Sequence, residues 1–179
     1  MRLFVAVEID DSNILQKIKS MQESFPFEAK PIRIDQIHFT LQFLGEINSE
    51  QIEQIKRALT TVCFSKFDLT IQNSGAFPNS NNPRVVWLGV DKDGQKKISN
   101  LANSVKQALS TINVKNDKPF KPHLTVFRIK TRIDDITNEL LKFKDVEFGK
   151  QMVSQIVLKK SELSQSGPEY TNLGTVSGI

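Results

Sequence analysis

The chain has two histidines, and both stand in the same short pattern: His38-Phe39-Thr40-Leu41 and His123-Leu124-Thr125-Val126. A strand sends alternate side chains to the same face. His38 and Thr40 would then share one face, and His123 and Thr125 another. Phe39 with Leu41, and Leu124 with Val126, would point the other way into a core. Side chains two residues apart stand roughly 6–7 Å from each other along a strand. That span suits one small anion gripped between an imidazole and a hydroxyl. Two such strands facing across a cleft would offer two imidazoles and two hydroxyls to one tetrahedral centre.

The chemistry that uses this set is phosphoryl hydrolysis without a metal. Imidazole titrates near pH 6.5, so one ring can serve as base while the other serves as acid. The neutral ring takes a proton from water, and the protonated ring gives one to the departing oxygen. Threonine hydroxyls and a nearby cation such as Arg128 would hold the non-bridging oxygens as charge develops. A cyclic phosphodiester fits, because its leaving group stays tethered and its ring is strained. Neither histidine need be a nucleophile. A single histidine beside apolar residues is ordinarily structural. It is the doubling, with every histidine used, that points to chemistry. Two histidines and Cys63 make no recognisable zinc spacing. No Gly-rich phosphate loop is present, so use of a nucleoside triphosphate is not indicated.

These residues need a scaffold. Leu3 to Ile9 reads as a buried first strand, followed by a helix with Ile14, Leu15, Ile18 and Met21 at helical spacing, capped by Asp11 or Ser12. Ser24 to Lys30 reads as a loop. Ile37 to Leu44 is the first motif strand, ended by Gly45-Glu46. A second helix follows, capped by Asn48 or Ser49 and carrying Ile52, Ile55, Leu59 and Val62. Phe67 to Gln72 alternates as a strand. Asn73 to Pro83 reads as a turn or loop, with Phe77-Pro78 packed inside it. Arg84 to Val90 is a buried strand with Trp87 in the core, and Asp91 to Gly94 is turn chemistry. Ile98, Leu101, Val105 and Leu109 mark a third helix. Lys115 to Pro122 is a polar entry to the second motif strand, His123 to Phe127. Ile133, Ile136, Leu140 and Leu141 suggest a fourth helix. Phe148 to Lys159 reads as one long strand bent at Gly149, Ser161 to Pro168 as a loop, and Tyr170 to Val176 as a last strand.

The order strand–helix–strand–helix–strand runs twice, and the two motifs lie almost half a chain apart. This predicts an α+β fold of two related lobes packed face to face, each with an antiparallel sheet and helices. No linker separates them, so residues 1–179 are expected to form a single bilobal domain. The 179 residues are enough to bury a sizeable core. The formal charge of +4 fits an anionic partner without demanding one. One cysteine rules out an internal disulfide. The apolar start at Leu3 is cut short by Glu8, Asp10 and Asp11, too early for a signal peptide. No stretch approaches membrane-spanning length. A cytoplasmic protein with no membrane partner is expected.

In its motifs the chain resembles the 2H phosphoesterases, in particular the 2′-5′ RNA ligase-like branch of RNA 2′,3′-cyclic phosphodiesterases. The similarity runs from Met1-Arg2-Leu3-Phe4-Val5-Ala6-Val7-Glu8 through His38-Phe39-Thr40-Leu41-Gln42-Phe43-Leu44-Gly45-Glu46, Phe77-Pro78 and Arg84 to Val90. It continues through Pro122 to Arg128 and Ser161-Glu162-Leu163 with Gly167 and Tyr170. Phe127 departs from it, standing where a smaller residue is expected before the arginine, and would narrow the cleft there. The resemblance implies a bilobal fold with its active site in the groove between lobes, no cofactor and no metal. It implies that RNA ending in a 2′,3′-cyclic phosphate, tRNA fragments among such ends, is opened to a 2′-phosphate by a monomer. His38 would be the proton donor to the 3′ oxygen and His123 the base. Thr40, Thr125 and Arg128 would bind phosphate oxygens. The acid and base roles follow from the resemblance alone, since the two motifs are nearly equivalent. The alternatives are an RNA-end binding module, a 2′-5′ RNA ligase, and a phosphodiesterase for small cyclic nucleotides or 2′-5′ oligonucleotides.

Overall fold

The structure is a computed structural model that describes residues 1–114, 119–165 and 167–179. Part of the polar entry to the second motif, Lys115 to Lys118, lies outside the described residues, as does Ser166.

Strand β1 (Arg2–Glu8) buries Leu3 to Val7. Helix α1 (Ser12–Ser24) starts where the Asp11 carboxylate accepts the Asn13 and Ile14 amides at 2.9 and 3.0 Å, and it buries Ile14, Ile18 and Met21. The short strand β2 (Lys30–Pro31) and a 3-10 turn at Ile34–Gln36 lead into β3 (His38–Glu46). Helix α2 (Ser49–Leu59) opens with a reciprocal Asn48–Gln51 capping box. Then come β4 (Phe67–Phe77), β5 (Val85–Val90) and α3 (Lys92–Ala108), which is capped by Asp91. The chain closes with β6 (Leu124–Arg128), α4 (Thr137–Leu141), β7 (Glu147–Val153), β8 (Gln155–Ser164) and β9 (Gly167–Ser177).

The main strands pair in the order β7-β4-β5-β6-β3-β1-β8-β9, and β2 adds to β6. Every pairing is antiparallel. Read outward from its middle, this order is two-fold related. On one side β6, β5 and β4 follow one another, and on the other β3, β1 and β8. Each inner pair is built as strand, helix, motif strand: β1-α1-β3 and β5-α3-β6. The antiparallel sheets and the helices are as expected, but the halves are not stacked face to face. They join edge to edge at the two motif strands, through Phe39 opposite Leu124. Pairing there removes what would be two open strand edges at the heart of the molecule. Helices α1 and α3 cross the seam. The helix that follows β1 packs on β6 and β7, and the one that follows β5 packs on β3 and β4. One continuous cluster of buried side chains runs beneath both halves.

Several boundaries differ from the pattern read in the sequence. Strand β4 continues through the Asn- and Gly-rich stretch to Phe77. Asn73 adopts a left-handed backbone (φ 65°) where the β4–β5 register shifts, so a turn-rich sequence makes a bulge instead of a loop. Asp91 to Gly94 forms the first turn of α3. The strand expected over Phe148 to Lys159 breaks at Ser154 into β7 and β8. Gly149, at φ 138°, sits at a register shift against β4. A side chain there would press Ile14 of α1, its Cβ only 2.8 Å from Cγ1. The stretch expected as a loop, Ser161 to Pro168, is taken up largely by the ends of β8 and β9. The fourth helix is one short turn, with Ile133 outside it.

Candidate active site

The residue pair that joins the halves also sets out the site. Phe39 and Leu124 are both 0% exposed and point into the core. Continuing that antiparallel register by one residue each way sets His38 opposite Thr125 and Thr40 opposite His123. All four then stand on the face opposite Phe39 and Leu124. They line one cavity of about 820 Å³ together with Arg128. All five candidate site residues are therefore brought to a single groove, whereas Phe127, expected to narrow it, is buried on the core side against Phe25.

The two imidazoles are held alike. Nδ1 of His38 lies 2.7 Å from the Gln36 carbonyl, and Nδ1 of His123 lies 2.6 Å from the Lys121 carbonyl. A carbonyl only accepts, so Nδ1 must carry the hydrogen in each ring. In the neutral form Nε2 is then the basic nitrogen, and in the charged form Nε2–H is the acid. The Thr40 hydroxyl lies 3.1 Å from Nε2 of His38 and donates to it when the ring is neutral. Among the described residues, Nε2 of His123 has no hydrogen-bond partner.

The walls differ. His38 is packed on Phe4 (centroids 5.0 Å apart) and meets Tyr170 edge-on at 5.5 Å. This burial, against the opposing pull of the Gln36 carbonyl, pushes the proton affinity of His38 down to about 4. The cations of Lys159 and Arg128 lower it further, while Glu8 raises it. Lys159 is buried, ion-paired to Glu8 and 2.7 Å from the Asn172 side-chain oxygen. Burial likewise raises the proton affinity of the Tyr170 phenol, with Arg128 opposing. His123 has a lighter surround: Phe77 meets it edge-on at 5.1 Å, with Trp87 stacked behind at 5.3 Å. The Lys121 ammonium lies 5.9 Å from the centre of the Phe77 ring. Arg128 is exposed at the end of β6, opposite Val85 of β5 and Lys30 of β2.

Sequence reasoning leaves several of these groups out. It puts Phe77 in loop packing and Trp87 in the core, yet Phe77 walls His123 and Trp87 braces it. Tyr170 and Phe4 lie within stretches that carry the resemblance but receive no role from it. The two carbonyls that orient the rings leave no side-chain signal; only their common offset, two residues before each histidine, could have found them. Among the described residues, no group of three or more His, Cys, Asp or Glu side chains could hold a metal ion. No helix among them is long and apolar enough to cross a membrane.

Fold and paired motifs together define a 2H phosphoesterase. Residues 2–177 match the family model described as the AKAP7 2′5′ RNA ligase-like domain. The RNA 2′,3′-cyclic phosphodiesterase of Archaeoglobus fulgidus is 39% identical over 175 residues, which cover 97% of this chain and 98% of the relative. That of Aquifex aeolicus is 36% identical over 165 residues, covering 89% and 87%. The crystal structure of TT0787 of Thermus thermophilus superposes with a TM-score of 0.80 at 29% identity, covering 99% of this chain and 97% of that one. E. coli LigT complexed with 3′-AMP gives 0.78 at 25% identity, covering 98% and 97%. The chain belongs to the 2′-5′ RNA ligase-like family of 2H phosphoesterases.

Proposed function

We propose that the protein is an RNA 2′,3′-cyclic phosphodiesterase that opens the cyclic end to a 2′-phosphomonoester by general acid–base catalysis. One observation carries this reading: His38, Thr40, His123, Thr125 and Arg128 all line one groove, with both imidazoles anchored at Nδ1. His123 takes a proton from water through Nε2, and the oxygen attacks phosphorus. His38 gives its Nε2 proton to the 3′ oxygen as the P–O3′ bond breaks. Water is consumed, a 2′-phosphate and a 3′-hydroxyl are formed, and proton exchange with solvent restores the pair. Thr40, Thr125 and Arg128 hold the non-bridging oxygens. The names of the relatives support RNA as substrate, and the 3′-AMP complex of LigT fits nucleotide binding; RNA ends of tRNA fragments are among the substrates this reading admits. Both histidines come from one chain, so a monomer of one bilobal unit, residues 1–179, suffices.

The low proton affinity of His38 favours a second reading. In the free protein at neutral pH its ring is neutral, which suits a base. On the first reading the bound phosphate must supply the negative charge that lets His38 hold a proton. On the second the roles are exchanged, with His38 the base and His123 the acid.

The test is product identity. Purified protein in EDTA, given an RNA oligonucleotide ending in a 2′,3′-cyclic phosphate, is expected to yield only the 2′-phosphate by phosphorus NMR. A 3′-phosphate product or strict metal dependence would overturn the mechanism. Tight binding without turnover would identify an RNA-end binding module. Turnover confined to small cyclic nucleotides, or ligation favoured over hydrolysis, would point to the other members of the family.

A further inference from the structure

The two-fold that relates the half-sites is broken on the groove face by a pair of charges. In the first half, Ala6 of β1 stands opposite Thr40, and in the second, Trp87 of β5 stands opposite Thr125. Two residues on from that common point come Glu8 in β1 and Gly89 in β5. Glu8 is the partner of His38 across the β1–β3 ladder. Two residues back, Phe4 pairs with Lys159 of β8, and Val85 pairs with Phe77 of β4. A carboxylate and an ammonium thus occupy, around His38, the places that a glycine and a phenyl ring hold around His123.

The two charges meet. Lys159 is 6% exposed, and its ammonium is ion-paired to Glu8 and lies 2.7 Å from the Asn172 side-chain oxygen. An ammonium carries three hydrogens, and among the described residues the third has no partner. Lys159 does not line the groove, so it is no ligand of the substrate. Burying an ion pair rarely adds stability over apolar side chains of similar volume, and the second half-site has no charge at either place. A buried charge pair kept beside one of two matched rings points to tuning of that ring. Charges act strongly on one another in such surroundings. The ammonium disfavours a second cation at His38, and the carboxylate opposes it. The other titratable or charged groups that face His38 are Arg128 of β6, the Tyr170 phenol of β9 and, across the groove, His123. Arg2 and Glu46 pair with each other at the far end of the β1–β3 ladder, and Glu162 pairs with Lys160.

We propose that Lys159 and Glu8 are a positioning pair for the proton of His38: they keep the ring neutral in the empty groove, and an anionic phosphate arriving at the histidines reverses the balance, so that the ring takes a proton from solvent. This rests on the RNA cyclic-end reading above, but its first readout needs no turnover. The His38 ring is followed by NMR against pH in the free protein. Lys159→Met should move its titration up from about 4 toward the ordinary 6.5, whereas Glu8→Gln should keep it at or below that of wild type. A change that only loosened the packing would raise both. Where Lys159→Met fails to fold because Glu8 is left unpaired, Glu8→Gln/Lys159→Met buries no unpaired charge, and it should titrate above Glu8→Gln. Saturating sulfate, an anion of the phosphate's shape, should raise the titration in wild type. The limb of kcat/KM against pH that reports His38 should shift in the same order among these proteins. A rise in both single variants, no rise on removing Lys159, or a wild-type ring unmoved by sulfate would overturn the role of the pair. No turnover of the cyclic end by wild type would instead overturn the function on which it rests, and leave the titrations standing.

Discussion

The two half-sites are near copies in sequence and unequal in surroundings. Each offers His-x-Thr from an antiparallel strand, with Nδ1 fixed by the carbonyl two residues back. His38 is sandwiched by Phe4 and Tyr170 beside a buried Lys159, and its Nε2 takes up the Thr40 hydroxyl. His123 touches the edge of Phe77, and among the described residues its Nε2 has no hydrogen-bond partner. A symmetric motif thus sits in an asymmetric electrostatic frame. Two histidines in identical surroundings would compete for the same role, whereas unequal neighbours let one reaction use both. The asymmetry lies in the walls, which come from β1, β4, β8 and β9, and not in the tetrads themselves.

The largest break in that comparison is to remove either ring. His38→Ala and His123→Ala should each lower kcat by about 10²–10⁴-fold, the usual contribution of a general acid or base. Full activity in either variant would strip that residue of its role. The double variant should fall little below the worse single one, because groups that act as a unit are not additive.

A smaller effect is expected from the oxygen-holding groups. Thr40→Val and Thr125→Val each remove one hydroxyl donor near the developing charge, and should lower kcat by up to about 10²-fold while leaving the fold intact. If the half-sites share one phosphate, the two losses should be of similar size. A loss confined to one threonine would mean that the anion is held on one side only.

The smallest effect sharpens the comparison without chemistry. In the free protein the His38 ring should stay neutral until the pH approaches about 4, as followed by its NMR shifts. Opening the wall with Tyr170→Ser should raise its proton affinity toward the ordinary 6.5, and phosphate binding should raise it in the wild type. Between about 6.5 and 4 the unfolded chain binds a proton at His38 that the folded chain refuses, so stability should fall as pH falls through that window. His38→Gln should flatten this part of the denaturation profile. A wild-type His38 that titrates at 6.5 would remove the asymmetry.

Much of the candidate site was legible because the residues suited to this chemistry are rare in the chain. With two histidines in the whole chain, the doubled tetrad and the period of a strand placed His38, Thr40, His123 and Thr125 together, and β6 carried Arg128 to the same groove. The buried strands β1 and β5 and the amphipathic helices α1 to α3 were also readable, since a 3.6- or 2-residue period survives in them. What escaped depends on long-range pairing. The edge-to-edge seam rests on Phe39 meeting Leu124, 85 residues away (124 − 39). Residues 73–77 read as loop from Asn and Gly, yet pairing with both β5 and β7 holds the neighbouring strand together and a bulge absorbs Asn73. Strict alternation would have sent Phe43 inward, and only the extra residue at Leu41 turns it out. The aromatic walls were invisible because a phenylalanine beside a catalytic ring has the same sequence signature as one in a core.

The division of labour is tested most directly by changing the leaving atom. A cyclic substrate with sulfur in place of the 3′ bridging oxygen needs no proton donor, because a thiolate leaves unaided. Wild type, His38→Ala and His123→Ala would be compared on the oxygen and sulfur substrates in EDTA. The sulfur substrate is expected to restore His38→Ala to near wild-type kcat/KM and to leave His123→Ala impaired. Rescue of His123→Ala instead would exchange the two roles. Rescue of both variants or of neither would contradict a one-acid, one-base site.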